Sequence, residues 1–105
     1  MTSKDKLSVE ELRRAITPIA ERHGVESIVL FGSVARGDDN DDSDYDFCID
    51  PGCIKDYDEL AHLVKDMEGV IRSEVDVVTL GGVRPDSMLM RNIRKEGIVV
   101  YSRTA

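Results

Sequence analysis

The chain of 105 residues carries 21 acidic against 14 basic side chains, a net charge of -7, with 41% hydrophobic and 33% charged residues. That composition belongs to a globular chain with one modest core, so a single domain over residues 1–105 is expected and two domains are excluded. No apolar run approaches the roughly 20 residues of a membrane helix, Met1 to Lys6 lacks a secretory pattern, and an acidic chain binds bare nucleic acid poorly, which leaves a cytoplasmic protein as the expectation.

Ser8 followed by Glu11 is a capping-box signature, and Leu12, Ile16, Ile19 and Ala20 recur at helical spacing until Gly24 offers a stop. Ser27 to Phe31 is a β-rich apolar run ended by Gly32, the pattern of a buried strand, and Val34 to Arg36 reads as a short helical turn. Gly37 to Ser43 is polar and turn-rich, hence loop. Asp44 to Asp50 alternates: Tyr45, Phe47 and Ile49 fall on one face of a strand, Asp44, Asp46, Cys48 and Asp50 on the other. Pro51-Gly52 breaks that strand, and Asp56 with Glu59 caps a second helix whose stripe of Leu60, Leu63, Val64 and Met67 is expected to end before Gly69. Val75 to Leu80 reads as a strand with Asp76 in its midst. Gly81-Gly82 turns the chain, Pro85 is expected to open a helix carrying Leu89, Met90 and Ile93, and Gly97 precedes a last strand, Ile98 to Tyr101. The order implies a mixed α/β (α+β) domain with helices on one sheet face and the acids on the uncovered one.

Seven aspartates and no basic residue lie between Asp38 and Asp50, and outside that segment acids and bases balance at 14 each. Such concentration argues for a site. Gly32 and Ser33 end one element and open another, so their backbone N–H groups and the Ser33 hydroxyl could face an anion, with Arg36 a turn away; taken alone, the same pattern fits a plain strand-to-helix turn with a surface arginine. Asp44 and Asp46 project to one side about 7 Å apart, a pair that suits Mg²⁺ or Mn²⁺ better than zinc, or solvated acids guarding an edge strand. Asp76 between valines must be buried, exposed at an edge or part of a site.

A calcium loop starting at Asp38 would need Gly where Ser43 stands and Glu where Ile49 stands, so Asp38, Asp39, Asp41 and Asp42 read as solvated loop and Asp50 as peripheral. Cys48 and Cys53 have no companions at ligand spacing and are read as reduced and structural; His23 and His62, on helices among polar neighbours, are read as structural or solvent-facing.

Gly32-Ser33, ten residues, Asp44-Tyr45-Asp46 and a later strand Asp76 together resemble the signature of the nucleotidyltransferase superfamily that includes polymerase β. In detail the chain resembles the minimal nucleotidyltransferases of bacteria and archaea, from its first helix to Gly97-Ile98-Val99-Val100-Tyr101. The resemblance implies a mixed sheet with helices on one side and Mg²⁺-dependent transfer of a nucleoside monophosphate, AMP from ATP, to a hydroxyl. It implies that Gly32 and Ser33 hold the β and γ phosphates, that Arg36 steadies the triphosphate, that Asp44 and Asp46 bind two Mg²⁺ ions, and that Asp76 completes the catalytic triad of metal ligands. It departs at Val34, where many relatives carry a basic residue.

Members of this group are often antitoxins paired with a HEPN-domain ribonuclease toxin, and some transfer AMP to a tyrosine of that toxin. A HEPN-domain partner protein supplying the acceptor is therefore the implied partner, in a hetero-oligomer, with a homodimer as another arrangement. The other class of reading is a non-catalytic antitoxin that neutralises its partner by complex formation; transfer to a small aminoglycoside-type acceptor is a third.

Overall fold

The computed structural model describes residues 7–37, 45–52, 54 and 56–103. Asp44, the loop acids Asp38, Asp39, Asp41 and Asp42, and Cys53 lie outside the described residues.

Helix α1, Val9–His23, begins where the capping box specifies: the Glu11 amide donates to Ser8 Oγ at 3.1 Å and the Ser8 amide to Glu11 Oε1 at 2.8 Å. Gly24 closes it in the left-handed conformation, and the buried stripe is the expected Leu12, Ile16, Ile19 and Ala20. Strand β1, Ser27–Phe31, runs directly into a five-residue helix α2, Gly32–Arg36. Strand β2 follows at Tyr45–Asp50, then α3, Tyr57–Ile71, capped by Asp56, whose Oδ1 accepts the Glu59 amide at 2.7 Å.

Against the sequence expectation α2 starts two residues earlier, at Gly32, the strand from Val75 stops at Thr79 and the last strand runs on to Ser102, and among the longer helices two boundaries differ. Gly69 sits inside α3, because Ile71 extends the stripe of Leu63 and Met67 by another turn, and that burial outweighs the roughly 1 kcal/mol glycine costs in a helix. After β3, Val75–Thr79, and a 3₁₀ turn at Leu80–Gly82, α4 spans Met88–Glu96 and starts at Ser87, not Pro85: Ser87 Oγ accepts the Met90 amide at 3.1 Å. Strand β4, Ile98–Ser102, completes the chain order.

The sheet order is β3-β2-β1-β4. β1 pairs antiparallel with β2 and β4, while β2 and β3 are parallel and joined through α3, so the sheet is mixed, as expected. Arg13 ties α1 to the edge strand β4, its Nε and Nη2 donating to the Val99 carbonyl at 3.2 and 3.1 Å. No helix among the described residues is long and apolar enough to cross a membrane.

Alternation decides where the core lies. Ile28, Leu30, Tyr45, Phe47, Ile49 and Val100 face α1 and α3 in the larger cluster. The opposite parity, Phe31 and Cys48, is not left to solvent: Met90 and Ile93 of α4 and Val83 pack on it in a second cluster. Thus α1 and α3 cover one face as expected, while α4 crosses to the face that carries the acids. The reason is apolar area, since Val29, Phe31 and Cys48 share that face and α4 removes them from water.

Candidate active site

The site forms where β1 ends. Antiparallel pairing sets Phe31 opposite Asp46, and parallel pairing sets Asp46 opposite Asp76. Residues in register on neighbouring strands have backbones about 4.8 Å apart and side chains on the same face, so the carboxylates of Asp46 and Asp76 are neighbours. Asp46 is half-buried and Asp76 exposed. Two of the three predicted carboxylates are therefore brought together, and the third, Asp44, precedes β2 outside the described residues.

Gly32 adjoins this pair. It turns the chain from β1 into α2 at a φ of 82°, and a Cβ at that position would overlap Asp46 Oδ2. Only glycine permits both the backbone angle and the close approach of the carboxylate. The N-terminus of α2 has no side-chain cap, so its first amides, including that of Ser33, begin a helix without the usual side-chain acceptor. Backbone donors and paired carboxylates thus meet at one corner of the sheet, a combination that can handle an anion and a divalent cation side by side.

Arg36, at the far end of α2, is engaged: its Nη1 donates to Glu96 Oε1 of α4 at 3.1 Å. Sequence reading did not anticipate that partner, which lies sixty residues away. Tyr45, between the two aspartates of the motif, is buried; its hydroxyl accepts the Leu7 amide at 2.9 Å, and its ring lies parallel to that of Phe47. The strand that carries Asp46 is thereby tied to the start of α1. Cys48, on the Asp46 side of β2, is buried and free, and burial together with the Asp50 charge pushes its thiol pKa up, so it is a poor nucleophile at neutral pH.

A second polar cluster, away from this corner, joins α1 to α3. His23 Nδ1 lies 2.8 Å from Glu59 Oε2 and its Nε2 lies 2.9 Å from Asp66 Oδ2, with only 8% of the side chain exposed. Burial alone would lower the His23 pKa, but the hydrogen bonds and charges of Asp66 and Glu59 outweigh it and hold the pKa above its ordinary value. Asp66 is held low in turn, chiefly by the His23 hydrogen bond. His23 is structural, as expected, and His62 is exposed.

A model of the polymerase beta nucleotidyltransferase family matches residues 14–105. A Methanocaldococcus jannaschii protein provisionally named a protein adenylyltransferase is 34% identical over 94 residues, covering 90% of this chain and 99% of its own. A solved structure provisionally described as a minimal nucleotidyltransferase superposes with a TM-score of 0.73 at 32% identity, covering 88% of this chain and 95% of that one. An antitoxin solved in complex with the tri-AMPylated HEPN toxin of Shewanella oneidensis shares the fold, with a TM-score of 0.65 at 16% identity over 92% of this chain and 75% of that one.

Proposed function

The chain belongs to the polymerase beta nucleotidyltransferase family, and we propose that it is an Mg²⁺-dependent protein adenylyltransferase that moves AMP from ATP to a hydroxyl of a HEPN-domain toxin, acting as its antitoxin. The observation that carries this reading is the register that sets Asp46 beside Asp76, with Gly32 held against the Asp46 carboxylate. Facing carboxylates repel, and an all-oxygen donor pair relieved by a divalent cation suits Mg²⁺, with Mn²⁺ as a substitute.

Asp46 and Asp76 would hold the cation together with Asp44, two residues before Asp46 in the motif. When bound, a divalent cation polarises the α phosphate and stabilises charge on the entering and leaving oxygens. The chain's own groups divide the remaining work. The Gly32 and Ser33 amides, at the uncapped start of α2, and the Ser33 hydroxyl bind the terminal phosphates. Arg36, steadied by Glu96, adds a cation beyond them.

Asp76, the more exposed carboxylate, meets the entering acceptor and takes its hydroxyl proton. A new oxygen–phosphorus bond then forms at the α phosphate as the bond to pyrophosphate breaks. No protein nucleophile is needed, which agrees with the raised thiol pKa of Cys48.

The test is to incubate the protein with ATP, Mg²⁺ and the protein that the neighbouring reading frame encodes, and to weigh that acceptor by mass spectrometry. An increase by one or more AMP masses is expected. An unmodified acceptor, or one neutralised equally well by an Asp46→Asn/Asp76→Asn variant, would overturn the enzymatic reading in favour of inhibition by binding.

A further inference from the structure

Among the described residues six large apolar side chains are exposed, and four of them, Leu80, Met88, Leu89 and Val99, lie on α4 or around it. The same stretch is the basic part of an acidic chain: residues 84–95 hold Arg84, Arg91, Arg94 and Lys95 against the single acid Asp86, while the whole chain carries -7. On α4, Met90 and Ile93 point to the sheet. At about 100° per residue, Arg94, Arg91, Lys95 and Met88 then follow one another around the opposite side of the helix as a continuous arc.

Beside that arc, α4, the 3₁₀ turn and β4 border an open cavity of about 320 Å³ that Val29, Cys48, Leu80 and Val99 line with apolar surface, Arg94 standing at the α4 side and Asp50 its one acid. None of Arg91, Arg94 and Lys95 is in an ion pair with a described acid. The helix C-terminus accounts for Arg94 and Lys95 as complements of the helix dipole, and Asp86 pairs with Arg84 at 3.9 Å, but neither accounts for Arg91 or for a methionine left 69% exposed.

We propose that the arc of Met88, Arg91, Arg94 and Lys95, with the groove between Leu80 and Val99, docks an acidic segment of the acceptor protein whose apolar side chains enter the groove. The occupant follows from charge: a basic arc around exposed apolar side chains complements a segment that alternates Asp or Glu with Leu-like residues. Nucleic acid is the poorer fit, because four cations on a chain of net charge -7 give little counterion release. The location suits the task, since α4 packs on the sheet face that bears Asp46 and Asp76, and the groove opens on that face at its Ser27–Asp50 end, four residues along β2 from Asp46 and so about 13 Å away, a span that four residues of an extended segment cross. This inference rests on the reading of the chain as a protein-modifying enzyme.

The test measures the affinity of a HEPN-domain protein from the same genome at low and at physiological salt, for wild type, Arg91→Glu/Arg94→Glu and Leu80→Ser/Met88→Ser. Each variant should bind at least roughly tenfold more weakly, and the charge-reversed one should lose most of its salt dependence. Thermal midpoint and ATP affinity should stay at the wild-type values. Wild-type affinity in the variants would overturn the proposal, as would a loss confined to binding of a single-stranded RNA of about 20 nucleotides, or to self-association of the chain. If wild type itself fails to bind the HEPN-domain protein, the partner reading fails and the docking surface with it; intact binding and transfer in the charge-reversed variant refutes the docking surface alone.

Discussion

Replacing Gly32 by Ala separates the two reasons for glycine at the corner of the site. A φ of 82° costs an L-residue roughly 1–2 kcal/mol. The new Cβ would also overlap Asp46 Oδ2, and relieving such overpacking typically costs about 1–3 kcal/mol more. The total of roughly 2–5 kcal/mol is a large share of the roughly 5–15 kcal/mol that holds a domain together, so the variant should fold but with a lowered unfolding midpoint. Gly37→Ala is the control: its φ of 81° imposes the same strain, yet nothing among the described residues lies within 4 Å of the added Cβ. Urea unfolding followed by far-UV circular dichroism suits a chain without tryptophan. Both variants should lose the strain increment, and only Gly32→Ala should lose AMP transfer, by roughly a hundredfold if Asp46 moves about 1 Å. Equal stability losses with transfer intact in both would refute the claim that Gly32 sets the position of the Asp46 carboxylate.

Three further outcomes follow from other parts of the fold. Both ring nitrogens of His23 face carboxylates, which only the charged imidazolium satisfies, and its folded pKa lies above 6.5. The His23 clamp should therefore contribute fully below about pH 6.5 and fade as pH rises through the higher folded value, whereas the part due to Asp66, held below 3.8, is present above that value and is lost as pH falls through the folded one. Unfolding midpoints across this range should show both limbs in wild type, and His23→Gln should lose the upper limb and most of the lower one, because the His23 hydrogen bond is the chief cause of the lowered Asp66 value. Ser87→Ala removes the cap of α4 and should cost about 1 kcal/mol in chemical denaturation, whereas Pro85→Ala, outside the helix, should cost no more than the roughly 0.4–1 kcal/mol of unfolded-chain entropy. Mg²⁺ should raise the melting temperature of wild type and leave Asp46→Asn/Asp76→Asn unmoved, since only the former carries the paired carboxylates.

The elements of this fold were legible where a local signal existed. Ser8, Glu11 and Gly24 delimit α1 through contacts no more than four residues apart, and alternation in β2 separates Tyr45, Phe47 and Ile49 from Asp46. Signals that compete locally were harder. Gly69 looks like a stop until Ile71 is seen to continue the spacing of Leu63 and Met67, and Ser87 and Pro85 are rival starts that only a side-chain hydrogen bond resolves.

Features that depend on long-range placement were not readable. The apolar stripe of Met90 and Ile93 says that α4 is buried on one side, but not which sheet face it meets, although the apolar parity of Val29, Phe31 and Cys48 hinted at a second cluster. The motif named Asp46 and Asp76 as candidates, yet their juxtaposition is a matter of strand register, and no local pattern reveals the contacts of Arg36 with Glu96 or of His23 with Glu59 and Asp66.

The central claim is that Asp46 and Asp76 form one catalytic centre because the sheet sets them side by side. Its most direct test is the single-turnover rate of pyrophosphate release with ATP, Mg²⁺ and the HEPN-domain acceptor, for wild type, Asp46→Asn and Asp76→Asn. Each substitution should slow release by roughly a hundredfold to a thousandfold, with an unfolding midpoint in the absence of metal at or above that of wild type, because one of two facing charges is gone. Release within a few-fold of wild type in either variant would contradict the claim.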